Sequence, residues 1–577
     1  MTFNLDAYRH STAHVLADAV LRLFPGTKLG IGPAIENGFY YDFEREGRFS
    51  EADFDAIEVK MREIVAQDLP FEREALSRDE ALALFSGLGQ DYKVELIKNL
   101  PEGEEITVYR HGDFVDLCKG PHVRSTGELG VFKLTSVAGA YWLGDEKNPM
   151  LQRIYGAAFA TEEQLKEQLR LLSEAKLRDH RLLGRQLDLF SIDERVGAGL
   201  VYWHPRGATL KRLIEDFWIG EHLRRGYELV STPHIAKSTL WETSGHYGYY
   251  KENMYVLPVG NEEYVLKPMN CPLHLQIYKS RVRSYRELPI RYAELGTVYR
   301  RERSGTLHGL FRVRGYTCDD AHIFCRADQV EAEVGSVVDL ALFMVRELGF
   351  EELEIELSLR DTDKQANYIG VPEVWDASES ILRRVLQTKH VEFKEVLGEA
   401  AFYGPKIDFQ LVDVYGHKHQ GTTIQLDFNL PERFDLTFVS SSGAEERPVM
   451  IHRAILGSIE RFVGVFIEHC GGAFPLWVSP VQVAVLPITD AQREYANSVY
   501  ERLLGSGFRS VLDDRSEKLG FKIREHSKVP YTLIVGGKEA EASNVSVRRR
   551  SHGQIGTMTL DEFMARAGEQ VRNHEVP

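Results

Sequence analysis

The sequence predicts a multidomain protein of mixed α+β and α/β class, on three observations. At 577 residues the chain is longer than a single hydrophobic core sustains. Strand-like and helical patterns are interspersed up to about residue 478, whereas from Pro480 onward strands such as VQVAVLPI and YTLIVG alternate with helical stretches. Such alternation is the pattern of a small α/β domain with helices covering a mixed sheet. Between Thr161 and Leu187 the charged, Leu-rich stretch TEEQLKEQLRLLSEAKLRDHRLLGRQL has helical spacing but too little apolar surface for a core of its own.

These patterns place an α+β domain at residues 1–160, a linker helix at 161–187, a long strand-rich domain at 188–478 and an α/β domain at 479–577. The first contains a helix carrying His10 and His14 and strand-like runs at Gly38 to Phe43 and Glu105 to Val115. With 43% hydrophobic and 27% charged residues the composition is that of an ordinary soluble protein. No apolar run reaches membrane-spanning length and no secretory pattern opens the chain, so the expected location is the cytoplasm, with no membrane partner. Five scattered cysteines do not make a disulfide framework. A net charge of −16 excludes indiscriminate coating of nucleic acid and leaves room for a local basic patch.

The most informative stretch runs from Arg291 to Phe324: a strand, a loop holding Arg300, Arg301, Arg303, His308, Arg312 and Arg314, and a second strand ending in Asp319, Asp320 and His322. Arginine forks suit the oxygens of a polyphosphate. Cys271, His322 and His452 are a thiolate and two imidazoles able to share a zinc ion with coordination left open for a ligand. Their separation along the chain does not establish that they meet, and packed core residues are the alternative. In the first domain His10 and His14 lie four apart, as do Cys118 and His122, a spacing compatible with a second metal site.

Arg300, Arg301 and Glu302 in this hairpin resemble motif 2 of the class II aminoacyl-tRNA synthetases, and HRAILGSIERF, ending near Arg461, resembles motif 3. The helix before VSTP resembles motif 1, which implies a homodimer. WETSGHYGYY, KPMNCP, RGYTCDDAHIF, FYGPKIDF and REHSKVPYTLIVGGKE are similar to the threonyl-tRNA synthetases across essentially the whole chain. The resemblance implies an antiparallel-sheet class II catalytic domain, an N-terminal α+β editing domain and a C-terminal α/β anticodon-binding domain. It implies an ATP-dependent ligase that activates L-threonine, transfers it to tRNA(Thr) and hydrolyses mischarged seryl-tRNA(Thr). A synthetase-like regulatory protein that senses tRNA or amino acid without catalysis is the alternative.

Residue by residue, the resemblance makes Cys271, His322 and His452 ligands of one catalytic-domain zinc, and Mg²⁺ accompanies ATP. Met269, Asp320 and Tyr403 then contact threonine. Arg300, Glu302, Arg312, Tyr316, Gln420 and Arg461 contact ATP, with Arg300 and Arg461 on its phosphates, and His246 assists proton transfer. His10, His14, Tyr41, Lys93, Asp116, Cys118 and His122 form an editing site that uses water, histidines and a lysine, with no bound metal. Glu539 and Arg548 read anticodon bases in a domain close to charge balance. Two departures stand out: Cys318 occupies a position where the bacterial pattern has glutamine, and the chain opens on the HxxxH helix without the ubiquitin-like domain common in bacterial members.

Overall fold

The structure, a computed structural model, describes residues 4–145, 147–413 and 417–575, apart from the side chains of residues 246, 249 and 365–367. It divides into two compact units, Met1–Glu174 and Ala175–Pro577.

In the first unit Asn4 caps α1 (Leu5–Leu23) by accepting from the backbone N–H of Ala7. Buried residues run around α1 from Ala7 to Val20 instead of along one stripe, as in a helix enclosed by protein. It packs on an antiparallel sheet whose main strands are β1 (Gly38–Glu44), with β2 (Glu72–Leu76), α2 (Asp91–Asn99), β3 (Ile106–His111) and β4 (Phe114–Leu117) following in the chain before β5 (Phe132–Tyr141) and β6 (Met150–Ala158) complete that sheet in the order β1-β6-β5. β2, β3 and β4 form a separate antiparallel sheet. Alternation along β1 sends Tyr41 and Phe43 into one core with Val15 and Leu16.

The stretch expected to be one linker helix is two, α3 (Glu162–Arg178) and α4 (His180–Gln186). Asp179 breaks them, because its carboxylate caps α4 by accepting from Arg181 N at 2.7 Å. His180 is fully buried, with Nδ1 2.6 Å from Glu468 Oε1 and Nε2 accepting from Leu310 N at 2.9 Å. The second helix is therefore anchored in the second unit by a satisfied histidine, a role that the charge pattern does not reveal.

The second unit is built on α5 (Pro205–Arg224), β7 (Glu228–Leu229), α6 (Cys271–Lys279), β8 (Ile290–Tyr299), β9 (Gly315–Cys325), α7 (Val330–Glu347), β10 (Leu353–Leu359), β11 (Lys394–Leu397), β12 (Lys406–Val412), β13 (Lys418–Asp427), β14 (Val449–Ser458) and α8 (Ile459–Cys470). An eight-stranded sheet in the order β7-β8-β9-β14-β13-β12-β10-β11 is antiparallel except at its two edges. Its apolar core contains Val337 and Met344 of α7 and Val463 and Phe466 of α8. β15 (Val483–Pro487), α9 (Arg493–Gly505), β16 (Ser510–Leu512), β17 (Tyr531–Val535), β18 (Asn544–Arg549), β19 (Gly553–Thr559) and α10 (Leu560–Arg572) form the C-terminal α/β part. Its sheet, in the order β16-β15-β17-β18-β19, is mixed, as the alternation predicts.

Adjacent acids on β9 do different work because strand neighbours face opposite ways. Asp319 points into the core at a register shift between β9 and β14. There it accepts from Ile455 N (2.9 Å), Leu456 N (2.7 Å) and Gly457 N (2.9 Å), donors that the irregular ladder would otherwise leave unpaired, and from Trp218 Nε1 of α5 (3.0 Å). Burial pushes its carboxyl up to about 7, against the pull of Arg453 and these backbone donors. Asp319→Ala is expected to cost about 3–5 kcal/mol, since the backbone and indole donors lose their acceptor and the buried Arg453 loses a nearby carboxylate. Urea unfolding checks this, as a lower midpoint at unchanged slope.

Candidate functional site

Asp320 and His322 face the other way: Asp320 lines a cavity of about 440 Å³ together with Met269, Cys271, Arg300, Tyr316, Tyr403 and His452, and the fully buried His322 lies beside it, with Nε2 3.6 Å from Asp320 Oδ1. The hairpin pairing runs from Ile290↔Phe324 to Tyr299↔Gly315, and on its other edge β9 sets His322 opposite His452 of β14. That register brings the two imidazoles to 4.7 Å between ring centres. Cys271 arrives from the first turn of α6, where the helix N-terminus favours a thiolate. Donor atoms of Cys271, His322 and His452 all lie within 4.8 Å of one another.

The residues present fit a metal ion. His322 Nε2 is buried with no hydrogen-bond partner, and burial among other imidazoles holds that ring far below its usual range, hence neutral. His452 Nε2 is 2.8 Å from Asp427 Oδ2, and Asp427 Oδ1 is occupied by the N–H groups of Asn429 and Leu430. Nδ1 of His452 is thereby left as its free lone pair. Burial pushes the Cys271 thiol well up. Cys318 lines the same cavity but lies outside this donor group.

Around this centre Asn270 Nδ2 donates to Asp320 Oδ2 at 3.2 Å, turning the carboxylate toward the cavity, and Tyr403 donates to Gln425 Oε1 at 2.9 Å. Arg300 donates through Nε to Pro268 O at 3.3 Å, and its guanidinium lies 5.5 Å from the ring centre of Tyr316. Glu302 lines the cavity and pairs with Arg312 at 2.9 Å. Arg312, Gln420 and Arg461 lie outside the lining: Gln420 donates to Asp408 Oδ1 at 3.2 Å, and Arg461 donates through Nε to Phe311 O at 3.1 Å. The side chain of His246 lies outside the described residues. Sequence reasoning passed over Asn270 and Gln425. Gln425 is two residues before Asp427 on one strand face, and that spacing was the available signal.

In the first unit donor atoms of His10, His14, Cys118 and His122 also lie within 4.8 Å of one another. Helical spacing stacks the first two on one face of α1, and the turn after β4 returns the others to it. Cys118 Sγ is 3.3 Å from His10 Nε2 and 3.2 Å from His122 Nε2. Burial pushes this thiol up to about 12 and His122 down to about 2, so both are neutral near pH 7. Beside them Lys93 Nζ is 2.5 Å from Asp116 Oδ1 and donates to Tyr41 Oη at 3.1 Å. Tyr41 donates to Asp116 Oδ2 at 2.5 Å, and all three side chains are buried. An ammonium is kept in a dry wall only by such an ion pair, so the lysine is not an ordinary surface residue. Ser11 was missed: its hydroxyl lies 3.0 Å from His122 Nδ1.

In the C-terminal part Arg548 lies on β18 and Glu539 in a short helix, where Glu539 Oε2 accepts from Gly536 N at 2.9 Å. Among the described residues no helix is long and apolar enough to cross a membrane.

Residues 255–470 match the family model for the tRNA synthetase class II core domain (G, H, P, S and T), residues 482–570 an anticodon binding domain, and residues 106–155 the threonyl and alanyl tRNA synthetase second additional domain. The threonine–tRNA ligase of Acidithiobacillus ferrooxidans is 54% identical over 96% of this chain and 86% of its own length. That of Nitrosococcus oceani is 54% identical over 97% and 87%. Among solved structures, the RNA binding domain of threonyl-tRNA synthetase from Cryptosporidium parvum superposes with a TM-score of 0.64 at 42% identity, over 68% of this chain and 98% of that one. A putative threonyl-tRNA synthetase from Aeropyrum pernix gives 0.62 at 31% identity, over 70% and 97%. With an antiparallel class II core, an anticodon-binding domain and an editing-type domain on one chain, this protein belongs to the threonine–tRNA ligase family of class II aminoacyl-tRNA synthetases.

Proposed function

We propose that the chain charges tRNA(Thr) with L-threonine in the cytoplasm and clears serine from it. The observation that carries this is the convergence of the donor atoms of Cys271, His322 and His452 beside Asp320, at a cavity that Cys271, His452, Arg300 and Glu302 line. Activation joins the threonine carboxylate to the α-phosphorus of ATP and releases pyrophosphate. Negative charge then spreads over phosphate oxygens, where Arg300 and Arg461 offset it and Arg312 takes the far phosphates; Mg²⁺ accompanying ATP would add positive charge there. Glu302, Tyr316 and Gln420 hold the base and ribose side, and His246 assists the proton that leaves the terminal ribose on transfer.

Cys271, His322 and His452 hold a zinc ion, one per subunit. Bound there, zinc supplies a Lewis acid for the amino and hydroxyl groups of threonine, which isosteric valine cannot match for want of the oxygen. Asp320, steadied by Asn270, accepts the substrate hydroxyl, and Met269 and Tyr403 close the pocket around its methyl group. Serine keeps both ligating groups, so the lost methyl discriminates by only about 1–3 kcal/mol, roughly 10- to 200-fold. His10, His14, Tyr41, Lys93, Asp116, Cys118 and His122 therefore form a hydrolytic site without a metal, where neutral imidazoles serve as bases toward water.

The domains fall at 1–160 for editing, 161–187 for the linker, 188–478 for catalysis and 479–577 for the anticodon, where Glu539 and Arg548 contact bases. The subunit pairs with a second copy across the motif 1 region, where Leu223, Leu229 and Ile235 are exposed. Sedimentation at micromolar concentration is expected to give twice the chain mass. Pyrophosphate exchange tests the whole reading: threonine and ATP together are expected to support it, serine weakly and valine hardly at all. Absence of exchange in zinc-loaded protein would leave a non-catalytic sensor of tRNA or amino acid as the better description.

A further inference from the structure

Glu294 on β8 is buried, and its carboxylate accepts from Thr232 N at 2.8 Å, from Thr232 Oγ1 at 2.9 Å and from Lys267 Nζ at 3.3 Å. A backbone N–H and an ammonium can only donate, so the carboxylate is a pure acceptor. His274 Nε2 lies 3.0 Å from Glu294 Oε2 and therefore carries a hydrogen. In a neutral imidazole the other nitrogen is then a lone pair, and His274 Nδ1 faces His322 Nδ1 at 2.8 Å. Two lone pairs cannot meet at that distance, so His322 Nδ1 is the donor. Its Nε2 is left with a lone pair, and this is the buried atom without a hydrogen-bond partner, Asp320 Oδ1 being the carboxylate oxygen beside it at 3.6 Å.

We propose that Glu294 and His274 are positioning residues that lock His322 in the one tautomer able to bind the metal. The inference rests on reading Cys271, His322 and His452 as a zinc site. It extends to His322, through an intervening imidazole, what Asp427 does directly for His452. His274 lies one helical turn after Cys271 on α6, so the same short helix supplies one ligand and orients another. Thr232 and Lys267 secure the far end of the relay, which a map of ligands alone would not include.

Glu294→Gln is the decisive substitution because it conserves shape. Thr232 N and Lys267 Nζ both point at Oε1, so the new amide keeps its oxygen there and turns its NH₂ toward His274 Nε2. His274 must then accept at Nε2 and carry its hydrogen on Nδ1, which drives the hydrogen of His322 onto Nε2 and blocks the ligand. Zinc affinity of the full chain, measured by competition with a chromophoric chelator, is expected to fall about 10- to 100-fold. His274→Leu is expected to lose as much, whereas His274→Asn, which can place an amide oxygen where Nδ1 was, keeps affinity within about threefold of the unaltered protein. Unchanged affinity in Glu294→Gln, or an equal loss in the Asn and Leu variants, would overturn the relay. The reading beneath it is checked separately: Cys271→Ser is expected to remove one zinc per chain, and if it removes none the metal site itself is misassigned. Taking that difference also excludes any ion held by the His10 and Cys118 cluster.

Discussion

Cys271→Ser is expected to lower threonine-dependent pyrophosphate exchange about a thousandfold, a loss of about 4 kcal/mol of transition-state stabilisation, and to release the zinc in the same step. Serine keeps nearly the same volume at the start of α6, so the helix and its Pro272 and Leu273 contacts are retained. What it loses is the soft thiolate: a serine hydroxyl stays protonated near neutral pH and is a poor ligand to zinc. ATP binding is expected to persist, because Arg300 and Glu302 are held by Pro268 and Arg312 and not by the metal cluster. The pairing of two readouts decides the matter. Metal analysis and exchange are expected to fall together; a variant free of zinc that still exchanges at the original rate would show that the three ligands serve structure and not substrate.

Much of this site was legible in the sequence, and the limits have physical causes. A thiol and two imidazoles on three distant segments are recognisable as donor chemistry, yet only strand register makes His322 and His452 neighbours, and register belongs to the whole sheet. The acidic pair Asp319 and Asp320 reads as one feature in the chain, whereas pleating assigns the first to the core and the second to the cavity. The linker was misjudged as one helix because its charges hide both a capping aspartate and a buried histidine. His274 and Glu294 left no signal at all, since a histidine in an apolar helix and a glutamate in a strand are unremarkable until the intervening distances are known. The basic loop shows the opposite failing: its arginines advertise phosphate binding, but Arg312 pairs with Glu302 at 2.9 Å.

The first unit gives the other large expected effect. His10→Ala combined with His14→Ala is expected to leave threonine charging unchanged while serine accumulates on tRNA. The second unit carries every group assigned to activation, so exchange with threonine serves as the internal control. Without clearance, the serine product is governed by what the zinc pocket can reject, and a single missing methyl permits serylation at roughly one tenth to one two-hundredth of the threonine rate at equal amino-acid concentration. The intact chain is expected to show almost none. Both imidazoles are kept neutral by burial, so they act on water as bases and not as cations, and alanine removes that function without unpairing Lys93 from Asp116. Lys93→Met provides the complementary arm: it strands Asp116 in a buried wall and is expected to destabilise the first unit by about 3–5 kcal/mol as well as to impair clearance. Serine charging that stays at the level of the unaltered chain in the double histidine variant, with the first unit still folded by circular dichroism, would place the clearing activity elsewhere on the molecule.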